Sequence, residues 1–237
     1  DLDNQILSGK LHRPLLRASN SPPVHHFDFS SLNASYLPRP LLRRLAAFDP
    51  AGPWAALAEN VPRLVNAVAV YGIVPDWSAY RIRPGERGLW AADPDKGDVS
   101  SYDAIRVYLW AGLTPKGDPA AQRLMKVLAP VGELLHNRRV PPERVYATDG
   151  TLQGDAPLGF SAAMVPFLLA AGSPAVAVQR TRAQRLADPA IKTSYYDTVL
   201  GLFGLGYADG YYCFSPSGQL ELPWLQGKTG DPACARW

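Results

Sequence analysis

The chain has 237 residues, of which 47% are hydrophobic, so it is long enough to bury a substantial core in one large domain or two small ones. Its net charge is +3 and its basic residues are scattered, which argues against a nucleic-acid-binding protein. No apolar run approaches the roughly 20 residues of a membrane-spanning helix, so we expect no membrane span.

Residues 1–29 contain several prolines and no sustained periodicity, which predicts an irregular or extended lead-in. Beyond it, apolar residues recur three and four positions apart and predict a series of helices. These helices cover residues 38–48, 53–71, 101–112, 118–135, 157–171, 173–188 and 194–205. Pro62 is expected to kink or divide the second helix. Residues 157–171 are apolar nearly all round, which predicts an inner helix.

Short β-hairpins are predicted between some of the helices. One covers residues 80–92, with Pro84 and Gly85 at its turn, and another covers residues 211–222. No low-complexity tract or linker divides the chain. The pattern therefore predicts one mainly α domain of paired helices over residues 1–237.

The stretch of residues 100–112 combines ionisable and aromatic side chains. Ser101 or its preceding serine can cap a helix, and the helix dipole favours an anionic Asp103 in the first turn. Arg106 lies three residues further on, on the same helical face, and also favours the charged carboxylate. On spacing alone this is ordinary helix chemistry. The neighbouring Tyr102 and other aromatics add a surface of the kind that binds sugar rings.

Aromatic residues stand beside polar groups at three predicted helix ends or loops. They are Trp77 after Asp76, Tyr102 before Asp103, and the pair Tyr195 and Tyr196. In a helical barrel these ends can line one mouth, where rings stack on sugars while a carboxylate activates water. Core packing is the alternative for each single aromatic.

Other reactive residues carry less information. Cys213 and Cys234 can form one bridge or remain two separate thiols. His25 and His26 lack the partners of a metal site, so we expect no metal and no cofactor. Ser161 lacks the second glycine of a nucleophile elbow, which argues against a serine hydrolase.

Three arginines occur towards the end of the predicted helix 173–188. They are Arg180, Arg182 and Arg185. The C-terminal end of a helix dipole favours cations, and we interpret this group as a solvated face.

Four motifs occur in a recognisable order. They are residues 33–38 (NASYLP), 75–77 (PDW), 100–110 (SSYDAIRVYLW) and 159–168 (GFSAAMVPFL). Together they resemble glycoside hydrolase family 8, in the endo-β-1,4-glucanase branch found in bacterial cellulose synthesis operons. The resemblance runs from about residue 27 to residue 223, and the segment around Asp103 is its most specific part.

The resemblance implies a mainly α, (α/α)6-barrel-like fold and inverting hydrolysis of a β-1,4-glucan such as cellulose. Asp103 would be the general base, Tyr102 would help to position water, and Arg106 would orient Asp103. The candidate substrate-cleft residues are Asn33, Tyr36, Asp76, Trp77, Tyr195 and Tyr196. The resemblance also implies a periplasmic or secreted protein, no cofactor, and a relation to the cellulose synthase complex.

The chain departs from the family pattern in its N-terminal part. The family's catalytic Glu and a second cleft Asp belong to N-terminal segments, and neither motif is present. Glu59, Glu133 and Glu143 do not match the segment of the acid. The predicted helices are also fewer than the twelve of a full barrel. The open alternatives are an incomplete or divergent N-terminal part, a non-catalytic glucan-binding protein or inactive family member, and a helical scaffold whose motifs only pack a core.

Overall fold

Seven α-helices and nine short β-strands make up the part of the chain that the computed structural model describes, residues 16–18, 28–82 and 87–226. The helices are α1 (Arg39–Phe48), α2 (Trp54–Val68), α3 (Ile105–Leu113), α4 (Ala121–Arg138), α5 (Leu158–Ala170), α6 (Ala175–Gln184) and α7 (Tyr195–Ala208). The strands are β1 (Leu16–Ala18), β2 (Asp28–Leu32), β3 (Ser78–Ile82), β4 (Leu89–Ala92), β5 (Val99–Ser100), β6 (Pro142–Tyr146), β7 (Leu152–Asp155), β8 (Cys213–Phe214) and β9 (Leu220–Glu221). The predicted mainly α class is confirmed.

All the strand pairs among the described residues are antiparallel. β1 to β4 form one sheet in chain order, in which Leu32 of β2 lies opposite Ser78 of β3. β5, β6 and β7 form a second sheet, and β8 pairs with β9. The two predicted hairpins are confirmed as β3–β4 and β8–β9, while the predicted turn at Pro84 and Gly85 lies outside the described residues. The predicted irregular or extended lead-in contributes the extended segments β1 and the start of β2, and its other residues lie outside the described ones.

Of the two outcomes predicted for Pro62, a kink or a division of the helix, the division is not observed. The helix is continuous from Trp54 to Val68 through Pro62. Buried residues before and after the proline, including Leu57 and Val65, fix both halves to the same core and offset the lost backbone hydrogen bond.

α5 is the inner element of the fold, as its composition predicted. Residues 159–168 are all buried, and the helix packs against α3, α6 and α7. Glycines allow the closest approaches. A Cβ added to Gly112 of α3 would lie 2.2 Å from the backbone nitrogen of Phe167, and one added to Gly204 of α7 would lie 1.8 Å from the carbonyl oxygen of Ala162. Any larger residue at either glycine would force the helices apart.

A buried ion pair and a disulfide add cross-links to this fold. Arg39 of α1 is 1% exposed and pairs with the buried Asp118 at 2.7 Å, which ties α1 to the segment before α4. Cys213 is disulfide-bonded, and Cys234 lies outside the described residues. None of the described helices is long and apolar enough to cross a membrane.

Candidate active site

The turn at residues 101–104 carries Asp103 and is held by a carboxylate from another part of the chain. Asp76, in the loop before β3, accepts hydrogen bonds from the backbone N–H groups of Ser101 and Ala104, at 2.8 and 2.7 Å. The Ser101 hydroxyl also donates to this carboxylate. Asp76 is 8% exposed, so the structure places it beneath the turn. Its predicted contact with substrate stays a prediction.

This arrangement corrects the predicted helix start. α3 begins at Ile105 with Ala104 at its N-cap, so Asp103 precedes the helix instead of lying in its first turn. No serine side chain caps α3. The first N–H groups of the helix, from Ile105 to Val107, donate to backbone carbonyls of the preceding turn, and Asp76 binds the N–H groups of Ser101 and Ala104 within that turn.

The charge of Asp76 is balanced between opposing effects. Burial raises the pKa of the Asp76 carboxyl above its ordinary value of 3.8, and the hydrogen bonds from Ser101 and Ala104 lower it in part. The negative charge of Asp103 raises the pKa of Asp76 further. The two carboxylates are therefore close enough to repel each other. The charge that compensates Asp103 is the guanidinium of Arg106.

Asp103 and Arg106 form an ion pair through one guanidinium nitrogen, which is the contact that their spacing predicts. Their side chains are 31% and 25% exposed, so the pair lies at the surface of the described fold. The same nitrogen of Arg106 donates to the Ser35 hydroxyl at 2.9 Å. Because Arg106 is anchored twice, it holds the Asp103 carboxylate in a defined orientation.

A 3₁₀ turn, Ala34–Tyr36, forms the neighbouring wall. The Asn33 side-chain oxygen accepts hydrogen bonds from the Ser35 backbone N–H at 2.9 Å and from the Ser35 hydroxyl at 2.6 Å. The Trp110 indole N–H donates to the Ser35 carbonyl at 2.8 Å. Asn33 is 1% exposed, so its side chain shapes the turn from below.

Two buried donors next to this wall have no partner in the part of the chain that the structure describes. Within the described residues, Nδ2 of Asn33 and Nε of Arg106 are buried side-chain nitrogens without a hydrogen-bond acceptor. Buried polar groups in proteins are normally satisfied by protein or by ordered water. Their coincidence beside Asp103 marks a place for a polar ligand or a water molecule.

Aromatic rings flank Asp103 on the side of Arg106. Tyr36 and Trp77 meet edge to face, with ring centroids 5.9 Å apart. The guanidinium carbon of Arg106 lies 5.7 Å from the centroid of the Tyr36 ring, within the range of a cation–π contact. Tyr36 is 42% exposed, so its ring offers an accessible surface next to the ion pair.

A second aromatic group lies around Tyr102. Its ring packs against Phe160 at 5.0 Å and against Tyr196 at 5.9 Å. The Tyr196 hydroxyl donates to the Tyr102 carbonyl, and the Tyr102 hydroxyl donates to Oε1 of Glu143 at 3.1 Å. Sequence reasoning missed Glu143 as a site neighbour, because it lies on β6 and matches no motif.

Both tyrosines of this group remain donors at neutral pH. Burial raises the pKa of Tyr196 to about 12. Burial raises the pKa of Tyr102 as well, and the Glu143 carboxylate adds to the effect. Both hydroxyls therefore stay protonated, and they donate to the Glu143 carboxylate and to the Tyr102 backbone carbonyl.

The structure separates the predicted pair Tyr195 and Tyr196. Tyr196 joins the site, whereas Tyr195, the first residue of α7, is 85% exposed. Asp197, which sequence reasoning missed, fixes this end of α7. It accepts the Gly159 backbone N–H at 3.0 Å and the Ser194 hydroxyl at 2.7 Å. The detectable signal was a serine three residues before an aspartate, a pattern of helix starts.

The described residues contain no group of three or more His, Cys, Asp or Glu side chains that could hold a metal ion. His25 and His26 lie outside the described residues. The site therefore consists of one partly exposed carboxylate with an opposing cation, between two aromatic groups. Such a carboxylate can take a proton from water while the rings contact an apolar sugar face.

Comparison with known proteins places this geometry in a family context. The model of the family described as "Glycosyl hydrolases family 8" matches residues 25–210. A protein named "Endoglucanase" from Xanthomonas axonopodis pv. citri (strain 306) is 41% identical over 207 residues, covering 86% of this chain and 51% of that protein. Another "Endoglucanase", from Escherichia coli (strain K12), is 40% identical over 196 residues, covering 82% and 50%. The chain thus spans about half the length of these curated relatives.

Solved structures show the same fold. The endo-1,4-D-glucanase from Vibrio fischeri ES114 matches with a TM-score of 0.73 and 28% identity, over 83% of this chain and 56% of that one. A GH8 endo-beta-1,4-glucanase from an Achatina fulica gut metagenomic library matches with a TM-score of 0.54 and 19% identity, over 78% and 53%, and supports the fold alone. The predicted (α/α)6-barrel-like class is confirmed, and the chain matches about half of each structure.

Proposed function

We propose that this chain, which belongs to family 8 of the glycosyl hydrolases, forms the part of an endo-β-1,4-glucanase that carries the general base. The observation that supports the proposal most directly is the partly exposed Asp103 carboxylate, held by Arg106 and flanked by aromatic rings. The substrate class, a β-1,4-glucan such as cellulose, follows from the names of the relatives.

In the proposed reaction, Asp103 removes a proton from a water molecule that attacks the anomeric carbon. Arg106 keeps the carboxylate oriented, and Tyr102, next to Asp103 in the turn, helps to place the water. A general acid on the other side of the sugar donates a proton to the leaving oxygen. An inverting pair of this kind is about 6.5 to 9.5 Å apart, which leaves room for the water.

The general acid is proposed to come from the part of the family domain that this chain does not span. Among the described residues, Glu59 lies near Arg39 and Arg43, and Glu143 accepts the hydrogen bond of the Tyr102 hydroxyl. Neither matches the acid's motif, and both carboxylates have partners of their own. The half-length match to the relatives supports this assignment.

Exposed aromatic rings support the contact with substrate. Tyr36, whose ring contacts the guanidinium of Arg106, is 42% exposed, and Tyr102, which directly precedes Asp103, is 41% exposed. Sugar rings present apolar faces that stack on such surfaces, and the charged and hydroxyl groups between them accept and donate hydrogen bonds. Trp77 supports the Tyr36 ring from its edge.

The second candidate function is glucan binding without hydrolysis. The same exposed rings favour it, together with the absence of an unpartnered glutamate from the described contacts around Asp103. It predicts affinity for cello-oligosaccharides without turnover, whereas a pure scaffold predicts no affinity at all.

A periplasmic or secreted location belongs to the same proposal. The disulfide at Cys213 supports it, because disulfides persist in oxidising compartments. Participation in cellulose synthesis, beside the cellulose synthase complex, is proposed on the sequence resemblance. Cell fractionation of the organism that produces the protein tests the location, and recovery of the protein only from the cytosol contradicts it.

The test of the leading function is reducing-sugar release from carboxymethylcellulose by the full-length protein. Asp103→Asn should abolish release while circular dichroism shows an unchanged fold. Asp95→Asn, the same chemical change at an exposed loop position, is the matched control and should retain activity. Full activity of the Asp103→Asn protein refutes the assignment. Calorimetric titration with cello-oligosaccharides identifies the second function if wild-type protein binds them without turnover.

A further inference from the structure

An open groove of about 400 Å³ lies at the solvent-facing side of α6, next to the end of α4. It is lined by Arg139, Ala177, Val178, Thr181, Arg182 and Arg185. Three of its six lining residues carry a guanidinium group and none carries a carboxylate. The groove is formed by residues that take no part in the candidate active site.

Arg139 enters the groove from an unusual backbone conformation. Its φ and ψ are 68° and −37°, and the Val140 N–H donates to the Arg138 carbonyl at 2.9 Å, which closes a γ-turn with positive φ. Such turns are rare and strained for a residue with a Cβ, whereas glycine adopts them freely. The fully buried Gln179 fixes the position by donating to the Arg139 carbonyl at 2.7 Å. An arginine retained in a strained backbone conformation at the edge of a groove indicates that its side chain has a function there.

Arg182 is fixed at the base of the groove by neutral acceptors. It donates to the Pro157 carbonyl at 3.0 Å, to the Ser161 hydroxyl at 2.8 Å and to the Ala156 carbonyl. The predicted solvated face is therefore wrong for Arg182, which is partly buried. These three bonds use part of its five N–H donors and neutralise none of its charge.

Within the described part of the chain, the positive charge of the groove has no direct counterion. Among the residues that the structure describes, no carboxylate lies within 4.0 Å of the guanidinium groups of Arg139, Arg182 or Arg185. Burial, and the like charge of Arg185, lower the pKa of Arg182, while Asp155 and Asp197 act on it only from further away. The repulsion between these arginines is relieved when an anion enters.

We infer that this groove binds a phosphate- or sulfate-type oxyanion between the guanidinium groups of Arg139, Arg182 and Arg185. Guanidinium forks match the oxygens of such anions in geometry and charge. Thr181 adds a hydroxyl donor on the same wall. The site is separate from the proposed glucanase reaction and does not depend on it.

The test is titration of the full-length protein with inorganic phosphate at constant ionic strength, by calorimetry and by thermal unfolding. Wild-type protein should bind phosphate and unfold at a higher temperature in its presence. Arg139→Gly and Arg185→Gln should each weaken binding about tenfold, as expected for one lost charge-assisted contact. Arg123→Gln, which removes the same charge from an exposed position of α4 outside the groove, should bind like the wild type.

Arg139→Gly also separates binding from folding. Because glycine takes the γ-turn without strain, the variant should unfold at the same or a higher temperature than the wild type in phosphate-free buffer. Wild-type phosphate affinity in both Arg139→Gly and Arg185→Gln, or the same thermal shift with chloride as with phosphate, overturns the inference. Glucose 6-phosphate as a second probe distinguishes the sources of the anion: tighter binding than inorganic phosphate supports a phosphorylated sugar, and equal binding supports the free anion.

Discussion

Replacing Asp76 by alanine tests whether this carboxylate holds the turn that presents Asp103. Alanine removes three acceptor interactions at once: those with the backbone N–H groups of Ser101 and Ala104, at 2.8 and 2.7 Å, and that with the Ser101 hydroxyl. Asp76 is 8% exposed, so water reaches the freed donors poorly. The change therefore leaves polar groups of the turn without partners.

The size of the effect follows from these three bonds. Hydrogen bonds to a charged group contribute about 1.5 to 3 kcal/mol each. The raised pKa of Asp76 shows that burying its charge offsets part of this gain. We expect Asp76→Ala to lower the free energy of unfolding by about 3 kcal/mol, which leaves most domains folded at 25 °C.

Activity should fall further than stability alone explains. Asp103 lies between Ser101 and Ala104, so a loosened turn displaces the proposed base. A displacement of about 1 Å can reduce a rate about a hundredfold, and we expect kcat to fall at least about tenfold. Urea unfolding measures the stability, and reducing-sugar release from carboxymethylcellulose by the full-length protein measures kcat at a temperature where the variant is folded.

Asp93 provides a matched control. It is 3% exposed and accepts the backbone N–H groups of Asp95 and Lys96, at 3.0 and 2.9 Å, together with the Ser31 hydroxyl. Asp93→Ala therefore loses the same kinds of bonds outside the candidate site, and should lose similar stability with little change in kcat. Wild-type kcat in folded Asp76→Ala, or an equal loss of kcat in Asp93→Ala, refutes the positioning role of Asp76.

Two further changes test the electrostatics and the packing. Burial raises the pKa of Asp76 above 3.8, so the folded protein binds this proton more tightly than the unfolded protein does, and the group's contribution to stability declines as pH rises through the raised pKa. The loss of unfolding free energy caused by Asp76→Asn should therefore be larger at about pH 4 than at about pH 7, and the opposite order in urea titrations contradicts the sign. Gly159→Ala places a Cβ 2.5 Å from Oδ1 of Asp197 and should cost about 2 kcal/mol in the same assay. Gly206→Ala, whose Cβ would make only ordinary contacts from 3.5 Å, is its control, and equal effects of the two alanines contradict the steric explanation.

Helix existence was predictable because it depends on local hydrophobic spacing. The inner helix was predicted at residues 157–171 and is observed at Leu158–Ala170. The start of α3 was not predictable in the same way. The N–H of its N-cap residue, Ala104, is bound by Asp76, which lies 28 residues earlier, and no local pattern shows that a distant carboxylate holds this turn.

The split between Tyr195 and Tyr196 has a similar cause. Neighbouring helical residues differ by about 100° in direction, so one of the two can face the site while the other faces solvent. Which one does so depends on the face of α7 that packs against α5, through buried residues such as Leu200 and Gly204. α7 is apolar on most sides, so its sequence carries no signal for this rotation.

Arg182 was predicted to be solvated from its position near a helix end, and it is partly buried instead. A cation near a helix end is usually solvated, and burial becomes stable only when other segments supply acceptors. Here the carbonyls of Ala156 and Pro157, just before α5, supply them together with the Ser161 hydroxyl. Ser161 in turn donates to Gln179 at 2.7 Å, so the residue that superficially suggests a nucleophile is one link of a buried chain that joins α5 to α6. Ser161 therefore has a structural role, because its hydroxyl already donates to Gln179 and accepts a hydrogen bond from Arg182.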